Sequence, residues 1–551
     1  MNFRSLFRRK PLNQILQEGS DGHAETSMNK NLGLWDLVFM GVAAVIGAGI
    51  FSTMGDAAFK GGPAIVYLFI ITAVTCGFTA LCYAEFAARV PVSGSAYTYS
   101  YVSFGEVIAW IIGWALILEY AIGNIYVATS WAEYFDNLLR GLGIHLPRWM
   151  STDSATAQRL YNAAIENKAV VTDMAWTTAP EVLGYKLIVN IPAFVIVVLI
   201  TALAYVGIKE SKRAANAMVY LKLFVLCIVI GVGFFHVNAA NYTPFMPNGF
   251  HGVMASVSSI FFAYIGFDAI STTSEECKDP QRDMPKAMIY ALLICTVLYI
   301  LVTLIITGMV NYKSLQGVAD PLAFIFDQNG MAKLGFFISA CAVVAATSVL
   351  LVFQVGQPRI WMSMSRDGLL PKRFSHIHPK FQTPDFSTIV TGFLVAIPSL
   401  FLDRGLVVDL TSIGTLFAFA LVSGGVLMLP KDNSTTKRFR LPYINGMLIV
   451  PILFAAFIWI FRDRVWNSFA NILNQVHQEY LFLIFIILAI GMTVATSLKK
   501  WSAIPVLGVL FCSYLMIEIP VKSWFVFFGW MALGLSIYFA YGVKRSRLAK
   551  I

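Results

Sequence analysis

Charge is what this chain has least of: only 13% of its 551 residues are Asp, Glu, Lys or Arg, about half the share found in soluble proteins. So few charges cannot cover a water-facing surface, which excludes an ordinary soluble domain. Cysteine is sparse and unpatterned. The seven residues, Cys76, Cys82, Cys227, Cys277, Cys295, Cys341 and Cys512, show no C-x-x-C spacing and nearly all lie in apolar runs, so free thiols are expected and no disulfide framework. The seven histidines fall in loops or near the ends of apolar runs, and no H-E-x-x-H occurs, so no metal, cofactor or intramembrane hydrolase chemistry is expected. No G-x-x-x-x-G-K-[ST] motif supports ATP hydrolysis. The first 33 residues lack an apolar stretch ending in a small-residue cleavage site, so the first apolar run is expected to be retained. The net charge of +10 sits in short clusters between apolar runs, where membrane topology places Lys and Arg, and no nucleic-acid partner is expected.

What is present is apolar surface: 58% hydrophobic residues and a mean hydropathy of +0.71. Runs long enough to cross a hydrocarbon core of about 30 Å recur at roughly 34–59, 63–89, 97–138, 185–207, 214–236, 251–275, 286–309, 333–364, 384–402, 406–429, 443–461, 479–497, 501–519 and 523–543. They predict an all-α integral membrane protein of about 14 spans in the lipid bilayer. A short tail, 1–33, precedes a ten-helix unit, 34–429, and four further spans with a short C-terminus occupy 430–551. Loops on one side carry Lys209, Lys212, Arg213, Lys278, Arg282, Arg366, Lys372, Arg373, Lys431, Lys437, Arg438 and Arg440. The other side is poor in them, which places both termini in the cytoplasm of a plasma-membrane protein. The longest external loop, 139–184, is expected to hold short surface helices and receives no chemistry.

Two runs contain helix breakers at corresponding places. Gly41, Gly47 and Gly49 interrupt the first, and Gly266 the sixth, within Phe261-Phe262-Ala263-Tyr264-Ile265-Gly266-Phe267-Asp268. Close helix–helix contact through small residues is the plain explanation of one such cluster. A pair five spans apart points instead to a five-plus-five inverted repeat with broken helices 1 and 6. Unwound backbone offers N–H groups to a carboxylate and carbonyls to an ammonium group, so the breaks predict a zwitterionic substrate, with small carboxylates and amines as alternatives.

Ionisable side chains inside apolar runs are costly and carry functional hypotheses first. Lys222 lies deep in the fifth run, either standing where a coupled transporter binds Na⁺ and exchanging a proton, or acting as a static cation on unwound carbonyls. Glu119 is the only carboxylate near the middle of the third run; it complements a cationic substrate, carries a proton, or makes a fixed interhelical bond. Asp268 follows the second break and either organises it or pairs with Lys222.

Gly47-Ala48-Gly49-Ile50-Phe51, Pro91-Val92-Ser93-Gly94-Ser95-Ala96-Tyr97, Phe262-Ala263-Tyr264-Ile265-Gly266-Phe267-Asp268, Glu275-Glu276 with Asp279-Pro280-Gln281-Arg282-Asp283-Met284-Pro285, and Ser365-Arg366-Asp367-Gly368-Leu369-Leu370-Pro371 together resemble the amino acid–polyamine–organocation superfamily, in its cationic amino acid transporter branch. The resemblance covers roughly 30–430. It implies a secondary transporter, not an enzyme, moving α-amino acids by alternating access without sodium, either with protons as the coupled partner or uncoupled. It further implies that Ile46, Gly47, Ala48, Gly49, Ile50, Phe262, Ala263 and Ile265 hold the amino acid backbone, with Phe262 as a gate. Glu119, Ala346 and Thr347 are implied around its side chain, and Lys222 and Asp268 in coupling. A cationic or broad range of substrates is favoured. A neutral amino acid permease of the same fold, or a membrane receptor that binds without translocating, is the alternative. Exchange or net uptake, and the presence of a small membrane subunit, are left open.

Overall fold

Backbone N–H and C=O groups have no water to bond in hydrocarbon, so apolar chain folds there as helix. The computed structural model describes residues 7–10, 32–47, 49–90, 95–166, 174–182, 184–207, 212–268, 270–271, 277–318, 320–429, 439–473 and 477–549. Helix α1 (Leu34–Val45) ends at a break, after which a π-helical turn at Gly49–Thr53 and α2 (Met54–Gly61) carry on, and α3 (Ile65–Arg89) returns. A short α4 (Ser95–Ser103) leads into the long α5 (Glu106–Gly141), and α6 (Ser154–Glu166) lies in the loop that follows. Next come α7 (Ile191–Val206), α8 (Lys212–Phe234) and the broken pair α9 (Gly249–Met254) and α10 (Val257–Phe262). They are followed by α11 (Pro280–Met309), α12 (Pro321–Gln328), α13 (Ala332–Arg366), α14 (Asp385–Ser399) and α15 (Arg404–Val426). The chain closes with α16 (Gly446–Ile460), α17 (Arg462–Leu473), α18 (Gln478–Lys499), α19 (Ala503–Ile517) and α20 (Val521–Ile537).

Polar residues fix where these helices begin. The Asn190 side chain accepts from Ala193 N at 3.1 Å ahead of α7, and Asp403 accepts from Leu406 N at 3.1 Å ahead of α15; each satisfies a donor that the first turn leaves orphaned.

Among the described residues, eight helical stretches are long and apolar enough to cross a membrane, or nine if the bent pair of α16 and the start of α17, 73° apart, is one span. The first of these stretches, Leu34–Arg89, contains both α1 and α3. Shorter apolar helices stand at α7, Gly249–Phe262, α14 and α19. Helix therefore occurs at every expected run, and the all-α membrane architecture stands. The third run, expected to be continuous over 97–138, is divided between α4 and α5. Gly105 takes φ +103°, and both its N–H and that of Phe104 bond to Ser100 O. A side chain at Gly105 would meet the Phe7 backbone at 2.7 Å, so only glycine turns the corner here.

The loop between α5 and α7 holds α6 and a hairpin pairing Glu181 with Lys186 and Val182 with Tyr185. Ala157, Ala175 and Ile188 form a small core there with Trp149 and Trp176.

Candidate functional site

Helix α1 ends at Val45 because Ile46 leaves helical backbone, at φ −75° and ψ 82°. An α-helix leaves its last four carbonyls without helical donors, and here most find substitutes. Val42 O accepts from Ile46 N at 2.8 Å, and Val45 O accepts from Gly47 N at 2.8 Å and from the Tyr299 hydroxyl at 2.9 Å. Ala43 O accepts from Lys222 Nζ at 3.0 Å. Lys222 is buried on α8 at 1% exposure, and a helix C-terminus is where the macrodipole favours a cation.

The second break is built differently. Ala263, Tyr264 and Ile265 donate to the carbonyls three residues back, tightening the chain, until Gly266 at φ +117° ends it. The two breaks cross in contact. A Cβ on Gly49 would lie 2.5 Å from Ala263 Cα, and one on Gly266 would lie 2.9 Å from the carbonyl of Ala44. Thr53 ties them further, its hydroxyl lying 2.7 Å from Gly49 O and 2.9 Å from Ser259 O.

Beside this crossing lies a cavity of about 20 Å³, lined by Ala44, Ile265, Gly266 and Asp268 from the breaks, Glu119 and Tyr120 from α5, and Val349, Val352 and Phe353 from α13. That volume admits about one water and no larger solute. Glu119 is 2% and Asp268 4% exposed, and Glu119 Oε2 has no hydrogen-bond partner among the described residues. Two buried carboxylates, Glu119 and Asp268, thus line one cavity.

On the other side of Phe262 a closed polar network stands. Phe262 meets the Tyr126 ring edge-on at 4.5 Å. The Arg404 guanidinium lies 5.3 Å over that ring and pairs with Glu133. The Tyr134 hydroxyl donates to Phe51 O at 2.5 Å, pinning the turn after the first break. Asn137 donates to Asp320, which leads α12 between the seventh and eighth runs. Burial and the nearby Glu133 carboxylate push Asp320 up to about 7.

Of the residues singled out in the sequence, Ile46, Gly47, Gly49, Ile50, Phe262, Ala263 and Ile265 form or flank the crossing, and Glu119, Ile265 and Asp268 line the cavity. Ala48 lies outside the described residues, as do Glu275 and Glu276. Ala346 is buried on α13, and Thr347 accepts from Trp131 Nε1 at 2.9 Å while donating to Val343 O at 2.8 Å; the chamber takes Val349, Val352 and Phe353 from that helix instead. Val349 also meets Gly47, where a Cβ would lie 3.0 Å from its Cγ2. Glu133, Arg404 and Tyr126 went unremarked because ion pairs across the fold leave no local pattern.

Comparison with known proteins decides the class. A profile of amino acid permeases matches residues 32–492, and one of the C-terminus of such permeases matches 503–546. The chain belongs to the amino acid permease family. This permease is 37% identical over 546 residues, 99% of each chain, to a branched-chain amino acid permease, BcaP, of Bacillus subtilis (strain 168). It is 36% identical over 548 residues, 99% of its length and 100% of the relative's, to a methylthioribose transporter of the same organism. Over 432 residues, 77% of its length and 67% of the relative's, it is 36% identical to the vacuolar cationic amino acid transporter 4 of Arabidopsis thaliana. The permease is therefore a multi-pass membrane transporter of the amino acid–polyamine–organocation superfamily, and not an enzyme.

Proposed function

We propose that this permease carries cationic or a broad range of α-amino acids across the plasma membrane by alternating access, without sodium and coupled to protons. The observation that carries the reading is Lys222, whose ammonium group bonds to Ala43 O at the C-terminal end of the first half-helix. A fixed charge at that carbonyl does electrostatically what a bound Na⁺ would do, and unlike Na⁺ it can release a proton. The free backbone of the two breaks holds the amino and carboxylate groups, while Glu119 and Asp268 face the chamber that receives the side chain. Residues 34–429 form the ten-helix transport core, an inverted repeat, and 430–551 add four spans. Both termini lie in the cytoplasm. Lys10 Nζ bonds to Asp367 at 2.8 Å and Arg547 N donates to Asp367 O at 3.0 Å, which supports a common side for the two ends.

A neutral-substrate permease is the second reading, favoured by the apolar α13 wall and by the branched-chain permease among the relatives. Uptake of labelled arginine and alanine into sodium-free proteoliposomes, with and without an inward proton gradient, separates them. Arginine uptake that rises with the gradient is expected; alanine uptake that arginine does not compete establishes the second reading, and binding without accumulation of either overturns both.

A further inference from the structure

The last helix carries a pattern with no place in the transport chemistry above: Trp530, Gly534 and Tyr538 recur one turn apart, as Glu106, Trp110 and Trp114 do on α5. The structure sets the two series side by side in reverse order. Trp114 Nε1 donates to Trp530 O at 2.9 Å, and Trp530 Nε1 donates to Trp114 O at 3.0 Å, with the rings stacked at 4.8 Å. One turn on, Trp110 Nε1 donates to Gly534 O at 3.0 Å. At the far end the Tyr538 hydroxyl donates to Glu106 Oε1 at 3.0 Å and the Ser546 hydroxyl to Glu106 Oε2 at 2.5 Å. Gly534 is required by this approach, since a Cβ there would lie 2.3 Å from Trp114 Cδ1. Trp114 in turn meets Trp361 of α13 edge-on at 6.1 Å.

Trp110, Trp114, Tyr538 and Ser546 donate from buried side chains and Trp530 from a half-buried one, and losing a buried bond of this kind leaves an unsatisfied polar group. Mere helix packing in lipid needs no such reciprocal indole–carbonyl pairing; small residues suffice. The ladder ends at Trp114, little more than a turn before Glu119 and Tyr120, and it fixes both the rotation and the height of α5 at the chamber.

We propose that α20 is a brace for the transport site, in which Trp530, Gly534 and Tyr538 are positioning residues that hold α5 so that Glu119 faces the chamber. The consequence for transport rests on the role assigned to Glu119, whereas the brace itself does not.

The test uses the full chain with Trp530→Phe, which keeps the ring and removes the indole donor, and Gly534→Ala as a second variant that presses on Trp114. Hydrogen exchange of peptides covering 106–120 reads the brace directly, and uptake in proteoliposomes reads its consequence. Trp530→Phe is expected to speed exchange in 106–120 and to lower the maximal uptake rate about tenfold with KM little changed. In a Glu119→Gln background it is expected to cost less than about twofold further, because the group being positioned is gone. Unchanged exchange in 106–120 for Trp530→Phe overturns the brace, and an equal loss of uptake in both backgrounds overturns its action through Glu119. Full uptake by Glu119→Gln alone rejects the role of Glu119, and the exchange result still decides the brace. Where Gly534→Ala does not yield folded protein, Trp530→Phe decides.

Discussion

Ala43 O is a carbonyl that a continuous helix would have satisfied, and in its place it has the Lys222 ammonium group at 3.0 Å. Lys222→Met keeps the length and apolar stem of the side chain but removes the donor and the charge. An unsatisfied buried acceptor costs about 1–3 kcal/mol, enough to shift the balance between conformations about tenfold or more, and uptake is expected to fall at least that far. Sodium-free uptake at the wild-type rate by Lys222→Met would remove Lys222 from the mechanism. Gly266 offers a second residue-scale test. Its φ of +117° and the 2.9 Å approach of a Cβ to the Ala44 carbonyl mean that Gly266→Ala meets both backbone strain and a clash. A loss of about 1–3 kcal/mol in stability is expected, read as a lower melting temperature, and an unshifted melting curve would mean that the crossing of the breaks is looser than the structure has it.

At the scale of elements, the breaks were legible because glycine at mid-span is a strong local departure from helix chemistry; Gly49 and Gly266 stand where the structure needs the absence of a side chain, and Gly47 lies tight against Val349. The corner at Gly105 was not legible. One glycine between two apolar stretches looks like any other, and its cause is the backbone of Phe7, far off in sequence. The same holds for the α13 wall, where Val349 and Phe353 are ordinary apolar residues until the fold turns them toward Glu119. Asp320 was equally silent, since its environment comes from Glu133 and Asn137 on α5. An unfolded aspartate titrates near 4, whereas in the fold Asp320 titrates at about 7. Between these values the folded chain holds a proton that the unfolded chain has released, so stability falls as pH rises through that window, by at most about 1.4 kcal/mol per pH unit. Asp320→Asn is neutral throughout and should melt with a flatter pH dependence than wild type between about pH 4 and 7. Parallel pH profiles for the two proteins would show that Asp320 titrates as it does in water.

For the whole molecule, the two ends of the chain meet on one short loop after α13. Asp367 takes Lys10 at 2.8 Å and the Tyr97 hydroxyl at 2.7 Å on its carboxylate, and Arg547 N at 3.0 Å on its carbonyl, while Gly368, at φ +82°, leaves room for the Arg545 backbone. Lys10 is nearly buried in this arrangement at 9% exposure, where a charged partner offsets the cost of leaving water. Asp367→Asn keeps the shape and a partner for Tyr97 but removes the charge that holds Lys10. The N-terminal segment is then expected to loosen, its backbone bonds to Tyr101 and Glu106 remaining, so that trypsin cleaves after Arg8 or Arg9 several-fold faster than in wild type, roughly in line with the loss of about one kcal/mol or more of pairing. Vesicle sidedness makes the same digestion a test of orientation. With both termini in the cytoplasm, cleavage in Asp367→Asn appears in inside-out vesicles and not in right-side-out ones. The reverse pattern would turn the molecule over in the membrane, and with it the side on which the Arg404–Glu133 pair lies relative to the two chain ends.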